Sequence, residues 1–251
     1  MDLGIAGRRA VVTCGSSGLG LAVAKALAAE GADLVLFARD EQRLRDARDA
    51  VRAGRSVVVE TVAGDMSDRA DLITLREVAE SGGVDILVVN TPRPPSPMRD
   101  LLDEDDDDRW HAARRDQLDA GLLVLRELAP IVGRNGWGRI VGITSASVKE
   151  PMPQHALSTI YRAGLQAALK HLSHELGPRG VTVNSVAPAT VVTPTFSAFH
   201  DLQRRIDQTA LKRAGTTDEL AATVAFLASD PAGFITGQTI QLDGGRSTSL
   251  V

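Results

Sequence analysis

Arg9-Ala10-Val11-Val12-Thr13-Cys14-Gly15-Ser16-Ser17-Gly18-Leu19-Gly20 is the stretch on which the fold turns. Its first five residues form a short, Val-containing apolar run that reads as a buried strand. Residues 19–30 repeat apolar positions at helical spacing, and Gly31 follows where a helix C-cap should sit. Between them lies a glycine-rich turn. Glycines let backbone N–H groups approach a phosphate closely, and the helix N-terminus behind them favours negative charge. A plain βα turn would need the same glycines for steric reasons. The ligand reading gains from the turn's place after the first strand of an α/β pattern.

Outward from this unit the same alternation continues. Residues 33–38, 56–62, 85–90, 138–144, 181–187 and 238–242 read as further buried strands. Ala-, Leu-, Glu- and Arg-rich stretches of about 10–20 residues at helical period separate them. Such alternation implies parallel pairing through right-handed crossovers. The expectation is one α/β domain over residues 1–251: a Rossmann-type, doubly wound parallel sheet of about seven strands, with helices on both faces. Ligands of such a sheet bind outside the carboxyl ends of the strands. Those ends are residues 13–20, 38–40, 64–66, 90–92, 144–147 and 188–194.

Composition limits the function classes. The chain has 251 residues, 43% hydrophobic and 24% charged, with a net charge of −4 spread over interspersed acids and bases. That lacks the field of a nucleic-acid binder. One cysteine, Cys14, excludes a disulfide framework and a cysteine-built metal site. No apolar run reaches about 18 residues, and the first residues lack a secretory pattern, so a soluble cytoplasmic chain without membrane partners is expected. Aromatic residues are only 3%, with a single tyrosine, Tyr161.

The motifs and their order resemble the short-chain dehydrogenase/reductase superfamily over nearly the whole chain. Thr13–Gly20 is similar to the family's Thr-Gly-x-x-x-Gly-x-Gly loop, with Cys14 where the first glycine belongs. Asp65 in Gly64-Asp65-Met66 matches an adenine-contacting aspartate. Residues 85–90 match the strand that normally ends Asn-Asn-Ala-Gly, here Val89-Asn90-Thr91-Pro92. Residues 138–145 match the strand that carries the catalytic serine. Val183-Asn184-Ser185-Val186-Ala187-Pro188 resembles the strand-six signature, and Thr193 the threonine that contacts the nicotinamide amide. The C-terminal Leu242-Asp243-Gly244-Gly245 also fits. Thr-x-x-Ser-Ser-Gly-Leu-Gly, Val-Asn-Thr, Ser-Val-Lys-x-Pro and Ser-x-x-x-Arg further resemble a divergent, 3-oxoacyl-carrier-protein-reductase-like branch. The resemblance implies a nicotinamide cofactor held by Thr13, Gly15, Ser16, Ser17, Gly18, Leu19, Gly20, Arg39, Asp65, Met66, Asn90, Thr91, Arg162, Pro188 and Thr193. NAD enzymes of this fold carry a carboxylate at the end of strand two, whereas a 2′-phosphate needs a cation. Phe37-Ala38-Arg39-Asp40 puts Ala38 where the carboxylate is expected and Arg39 next to it, so NADP(H) is preferred, with NAD(H) as the alternative.

The catalytic pattern departs from the family's serine, tyrosine and lysine. Ser145 matches the serine. Ser158 stands where the tyrosine belongs, Arg162 where the lysine belongs, and Gln117 at the fourth-helix asparagine position. A serine hydroxyl is a poor proton donor beside a phenol, and an arginine cannot shuttle protons as a lysine does. Tyr161 falls about 60° from Ser158 around a helix, on the side away from Arg162. His155, with an ordinary pKa of about 6.5, is another candidate acid. Two functions follow. The first is an NADP(H)-dependent oxidoreductase acting on a small carbonyl or alcohol, with Ser145 polarising the oxygen, Arg162 fixing the ribose, and Ser158, a water, His155 or Tyr161 delivering the proton. The second is a redox-silent cofactor binder, or a non-redox isomerase- or dehydratase-like member of the fold. Residues 194–212 resemble the family's substrate lid, with Phe196, Phe199 and His200 suggesting a partly apolar pocket. The acidic run 103–108 reads as a solvated helix N-terminal turn. A homotetramer or homodimer through the fourth and fifth helices is expected from the resemblance alone.

Overall fold

The computed structural model describes residues 1–193 and 201–250. Seven strands appear, β1 (Arg9–Thr13), β2 (Asp33–Ala38), β3 (Val59–Ala63), β4 (Ile86–Asn90), β5 (Gly138–Ile143), β6 (Val181–Pro188) and β7 (Thr239–Leu242). They form one parallel sheet in the order β3-β2-β1-β4-β5-β6-β7. The order reverses between β1 and β4, where a crevice opens at the strands' carboxyl ends.

The strand residues explain why both faces are covered. Ala10 and Val12, Leu34 and Leu36, and Ile86 and Val88 point to one face. Their neighbours Val11, Val35, Phe37, Leu87 and Val89 point to the other. Helices α1 (Gly18–Ala29) and α2 (Glu41–Arg52) pack on the first face, and α3 (Arg69–Gly82) on the second. The run α4 (Asp107–Ala113), a π turn over Arg114–Asp119, and α5 (Ala120–Leu128) is continuous. Together with α6 (Ala156–Leu176), α5 completes the second face. The short α7 (Leu202–Asp207) precedes α8 (Thr217–Leu227), which returns to the first face beside α1.

Three sequence expectations are corrected. The last strand, expected to be buried over residues 238–242, has no buried residue: β7 is one edge of the sheet, and Ile240 is 36% exposed. The third strand is not buried on both sides: Glu60 and Ala63 are exposed, and β3 begins only at Val59, after the 58%-exposed Val58. As the other edge strand it pairs with β2 alone; Val59 still packs on the first face and Val62 on the second, while Glu60 and Ala63, one on each face, reach solvent. The acidic run is not wholly solvated either. Asp106 caps α4, accepting from Asp108 N–H at 3.0 Å, but Glu104 is buried in an ion pair with Arg109 at 2.8 Å. Among the described residues, no helix is long and apolar enough to cross a membrane.

Candidate active site

The turn after β1 is built for close approach. A Cβ on Gly20 would overlap the Cys14 carbonyl oxygen, so only glycine lets α1 begin so near the strand. Gly18 has φ +53°, and Cys14 takes φ +49°, a left-handed conformation unusual for a residue with a side chain. The Cys14 sulfur lies 3.6 Å from Met66 Sδ, and burial pushes the thiol up to about 11, so it stays protonated at neutral pH. Thr13 is fully buried; its Oγ1 donates to Asn90 O at 2.8 Å and accepts from Asn90 N–H at 2.9 Å, locking β1 to β4.

Two connected cavities open at the carboxyl ends of the strands. The first, about 500 Å³, runs along the strand ends from Asp65 and Arg39 past the Ser16–Leu19 turn to Asn90 and Thr91. The second, about 250 Å³, lies between Ser145, Ser158, His155 and the α7 residue Arg205. Leu19, Arg93, Thr144, Arg162, Pro188 and Thr193 line both. Of the expected cofactor residues, Thr13, Gly15 and Gly20 stand behind the first cavity as framework, and the other twelve line it.

At the mouth of the first cavity, Arg39 is 72% exposed in its side chain and sits 4.0 Å from Asp65. The Asp65 carboxylate accepts two bonds of 2.8 Å from Ser67, one from N–H and one from Oγ–H. Against the burial that would raise it, these bonds and the charge of Arg39 hold its pKa below the usual value. Asp40 serves as the N-cap of α2, accepting from Arg43 N–H at 2.9 Å, and Arg43 turns back beside it into the cavity wall. Arg39, Arg43 and Ser16 all line this cavity.

Arg162 forms the junction. Its Nε donates to Gln117 Oε1 at 3.0 Å, and its Nη1 to the carbonyls of Thr144 at 2.6 Å and Ile143 at 3.3 Å. Burial lowers its pKa to about 10, leaving it charged at neutral pH. Gln117 is buried in the π turn, a local helix irregularity common at functional sites. Ser158 is buried one turn before Arg162 on α6. Ser145 Oγ lies 2.9 Å from Ser147 Oγ. His155 precedes α6; its Nδ1 lies 2.7 Å from Pro153 O, and its Nε2 faces Arg205 Nη2 at 3.1 Å. An arginine can only donate, so Nε2 accepts and Nδ1 carries the proton. Burial lowers this imidazole to about 4. Tyr161 lines neither cavity; its ring packs edge-on against Trp110, 6.1 Å between centroids.

Sequence reasoning missed Arg43, Arg93 and Arg205. Arg93 was the most accessible of these, because it directly follows the altered strand-four motif; its Nη2 donates to Thr193 Oγ1 at 2.6 Å. Phe196, Phe199 and His200 lie outside the described residues.

The cavity fits an elongated dinucleotide on this structure's own terms. The turn admits a ligand at backbone distance, and a polar floor includes Thr91 Oγ1, buried without a partner among the described residues. A family model described as Enoyl-(Acyl carrier protein) reductase matches residues 14–247. The 3-oxoacyl-[acyl-carrier-protein] reductase FabG of Salmonella typhimurium is 34% identical over 242 residues, 95% of this chain and 97% of that protein. The NADPH-dependent reductase BacG of Bacillus subtilis is 30% identical over 97% of this chain and 99% of its own. The crystal structure of L-sorbose reductase from Gluconobacter frateurii, complexed with NADPH and L-sorbose, superposes with a TM-score of 0.91 at 30% identity, covering 100% of both chains. With the doubly wound sheet, the glycine turn and these relatives in agreement, the chain belongs to the short-chain dehydrogenase/reductase superfamily of oxidoreductases.

Proposed function

We propose that the protein is an NADP(H)-dependent oxidoreductase interconverting a small carbonyl compound and its alcohol, with a serine–arginine site where the family resemblance implies serine, tyrosine and lysine. One observation carries this reading: the two cavities join at Arg162, beside Ser145 and Ser158. NADP(H), when bound, supplies or accepts the hydride. Arg39, Arg43 and Ser16 suit a 2′-phosphate, because Asp40, the neighbouring carboxylate, is engaged as a helix cap.

In the second cavity, Ser145 donates a hydrogen bond to the carbonyl oxygen, with Ser147 as its neighbouring hydroxyl. Arg162, held by Gln117 and two carbonyls, is a positive charge of fixed position that stabilises the oxyanion as it develops. It keeps its proton at neutral pH. His155 is already neutral there, with Nδ1–H given to Pro153, so it has no proton to deliver. Ser158 orders a water that passes a proton to the alkoxide and takes one in turn from bulk solvent, the source of the net proton consumed in reduction. Thr13, Gly15 and Gly20 act by shaping the cradle.

The test is NADPH oxidation over a panel of ketones. Wild type is expected to turn over at least one ketone, and Ser145→Ala and Arg162→Ala to lower kcat/KM about 100-fold each. No oxidation across the panel would favour the redox-silent reading. That reading has one observation of its own: the only tyrosine packs on Trp110 and no phenol lines the second cavity among the described residues.

A further inference from the structure

The second cavity carries charge of one sign. Arg93, Arg162 and Arg205 line it, and no Asp or Glu does among the described residues. Residues 194–200, outside the described ones, read Pro-Thr-Phe-Ser-Ala-Phe-His and contain no acidic side chain. The arginines arrive from three separate parts of the fold: the loop after β4, α6 and α7. Their contacts inside the cavity include the Thr193 hydroxyl, the Thr144 carbonyl and the neutral His155 Nε2. The remaining wall is largely apolar, with Leu19, Pro94, Met98 and Met152. Burial lowers the pKa of all three guanidinium groups, the signature of cations partly withdrawn from water. A carboxylate gripped by planar guanidinium groups offsets that cost through charge-assisted, bidentate hydrogen bonds.

Arg93 and Arg162 also line the first cavity and can face a dinucleotide there; Arg205 does not. Arg205 is therefore the group that marks the second cavity as an anion site in its own right. We propose that this cavity takes a small oxo acid or hydroxy acid, its carboxylate held by Arg205 with Arg93 and its carbonyl or hydroxyl oxygen directed to Ser145 and Arg162. The oxo/hydroxy half of this assignment rests on the oxidoreductase reading; the carboxylate half does not. A volume of about 250 Å³ suits an acid of a few carbons.

Calorimetric titration tests it, with NADP⁺ present so that no reduction occurs, and again without it. The probes are 2-oxobutanoate and acetoacetate, each against its methyl ester, with dihydroxyacetone phosphate as a phosphate arm. At low ionic strength each acid is expected to bind at least about tenfold more tightly than its ester, with the ratio falling as salt is added. Arg205→Gln is expected to bring the ratio near one while NADPH affinity stays within about twofold. Esters binding as tightly as acids, no binding of any probe, or a ratio that survives Arg205→Gln would overturn the proposal. Tighter binding of dihydroxyacetone phosphate than of either acid would overturn the carboxylate assignment. The acid–ester comparison needs no variant, so a poorly folding Arg205→Gln does not blunt it. Acids that bind but drive no NADPH oxidation leave the anion site standing and sink the oxo/hydroxy half of the assignment, while the ketone panel decides the oxidoreductase reading by itself. Oxidation with esters as effective as acids does the reverse.

Discussion

Arg39 sits where β2 ends, mostly in solvent, with Asp65 4.0 Å away and Arg43 in the same wall. A 2′-phosphate held by an exposed arginine is a charge-assisted contact, and reversing the charge changes the sign of that interaction. Arg39→Asp is expected to weaken NADPH binding at least about tenfold and leave NADH within about threefold, read from cofactor fluorescence; equal losses for both would remove Arg39 from the 2′-phosphate. His155 makes a second prediction. Its pKa falls from 6.5 to about 4 through burial, reinforced by the charge of Arg205 and resisted by its bond to Pro153. The unfolded chain binds the proton below about 6.5 and the folded chain only below about 4, so stability is lost as pH drops through that window. The full effect is on the order of 3 kcal/mol. His155→Gln should flatten the dependence of the urea midpoint on pH between 4 and 6.5, and an unchanged slope would mean that another group sets it. At this scale legibility was uneven. Residues in motifs, such as Asp65, Ser145 and Arg162, could be numbered from sequence. Arg205 could not, because it reaches the cavity through α7, whose position depends on tertiary packing rather than on a local pattern.

Helices position the chemistry. α6 carries Ser158 and Arg162 one turn apart on the face toward the cavities and Tyr161 on the face toward α4. The angular separation was legible, since it follows from the helical period alone; the packing of Trp110 that occupies Tyr161 was not. The π turn was likewise invisible in the sequence, because its residues have no distinct composition, yet it brings Gln117 to Arg162 at 3.0 Å. Gln117→Leu removes the Nε contact and leaves the carbonyl contacts. It is expected to raise KM for ketone and lower kcat together, with Gln117→Asn restoring part of the loss; no change in either constant would show that the carbonyls alone hold the guanidinium. The start of α1 is less forgiving. Gly20→Ala drives a methyl group into the Cys14 carbonyl, so the backbone must shift. A loss of about 1–3 kcal/mol in urea unfolding is expected, with weakened NADPH binding; a fully stable, tightly binding variant would contradict the close-packed cradle.

Across the whole molecule, the strand–helix alternation led to a parallel sheet whose order was then open to one reading at the crevice between β1 and β4. Buried strands were legible because both faces are covered and their apolar runs are nearly continuous. The edge strands β3 and β7 were misread because sequence does not say which strands lack a second neighbour. The same limit applies to the site: the sheet brings Arg93, Arg162 and Arg205 from distant parts of the chain to one cavity, and no sequence spacing encodes that convergence. What links fold to function is the long cleft from Arg39 to Arg162, continuous with the chamber at Ser145. The most direct test of that link is a fluorescence titration of the intact protein with NADPH and NADH. Saturable binding of NADPH, at least about tenfold tighter than NADH, is predicted. Equal affinities, or no saturable binding of either cofactor, would contradict the account.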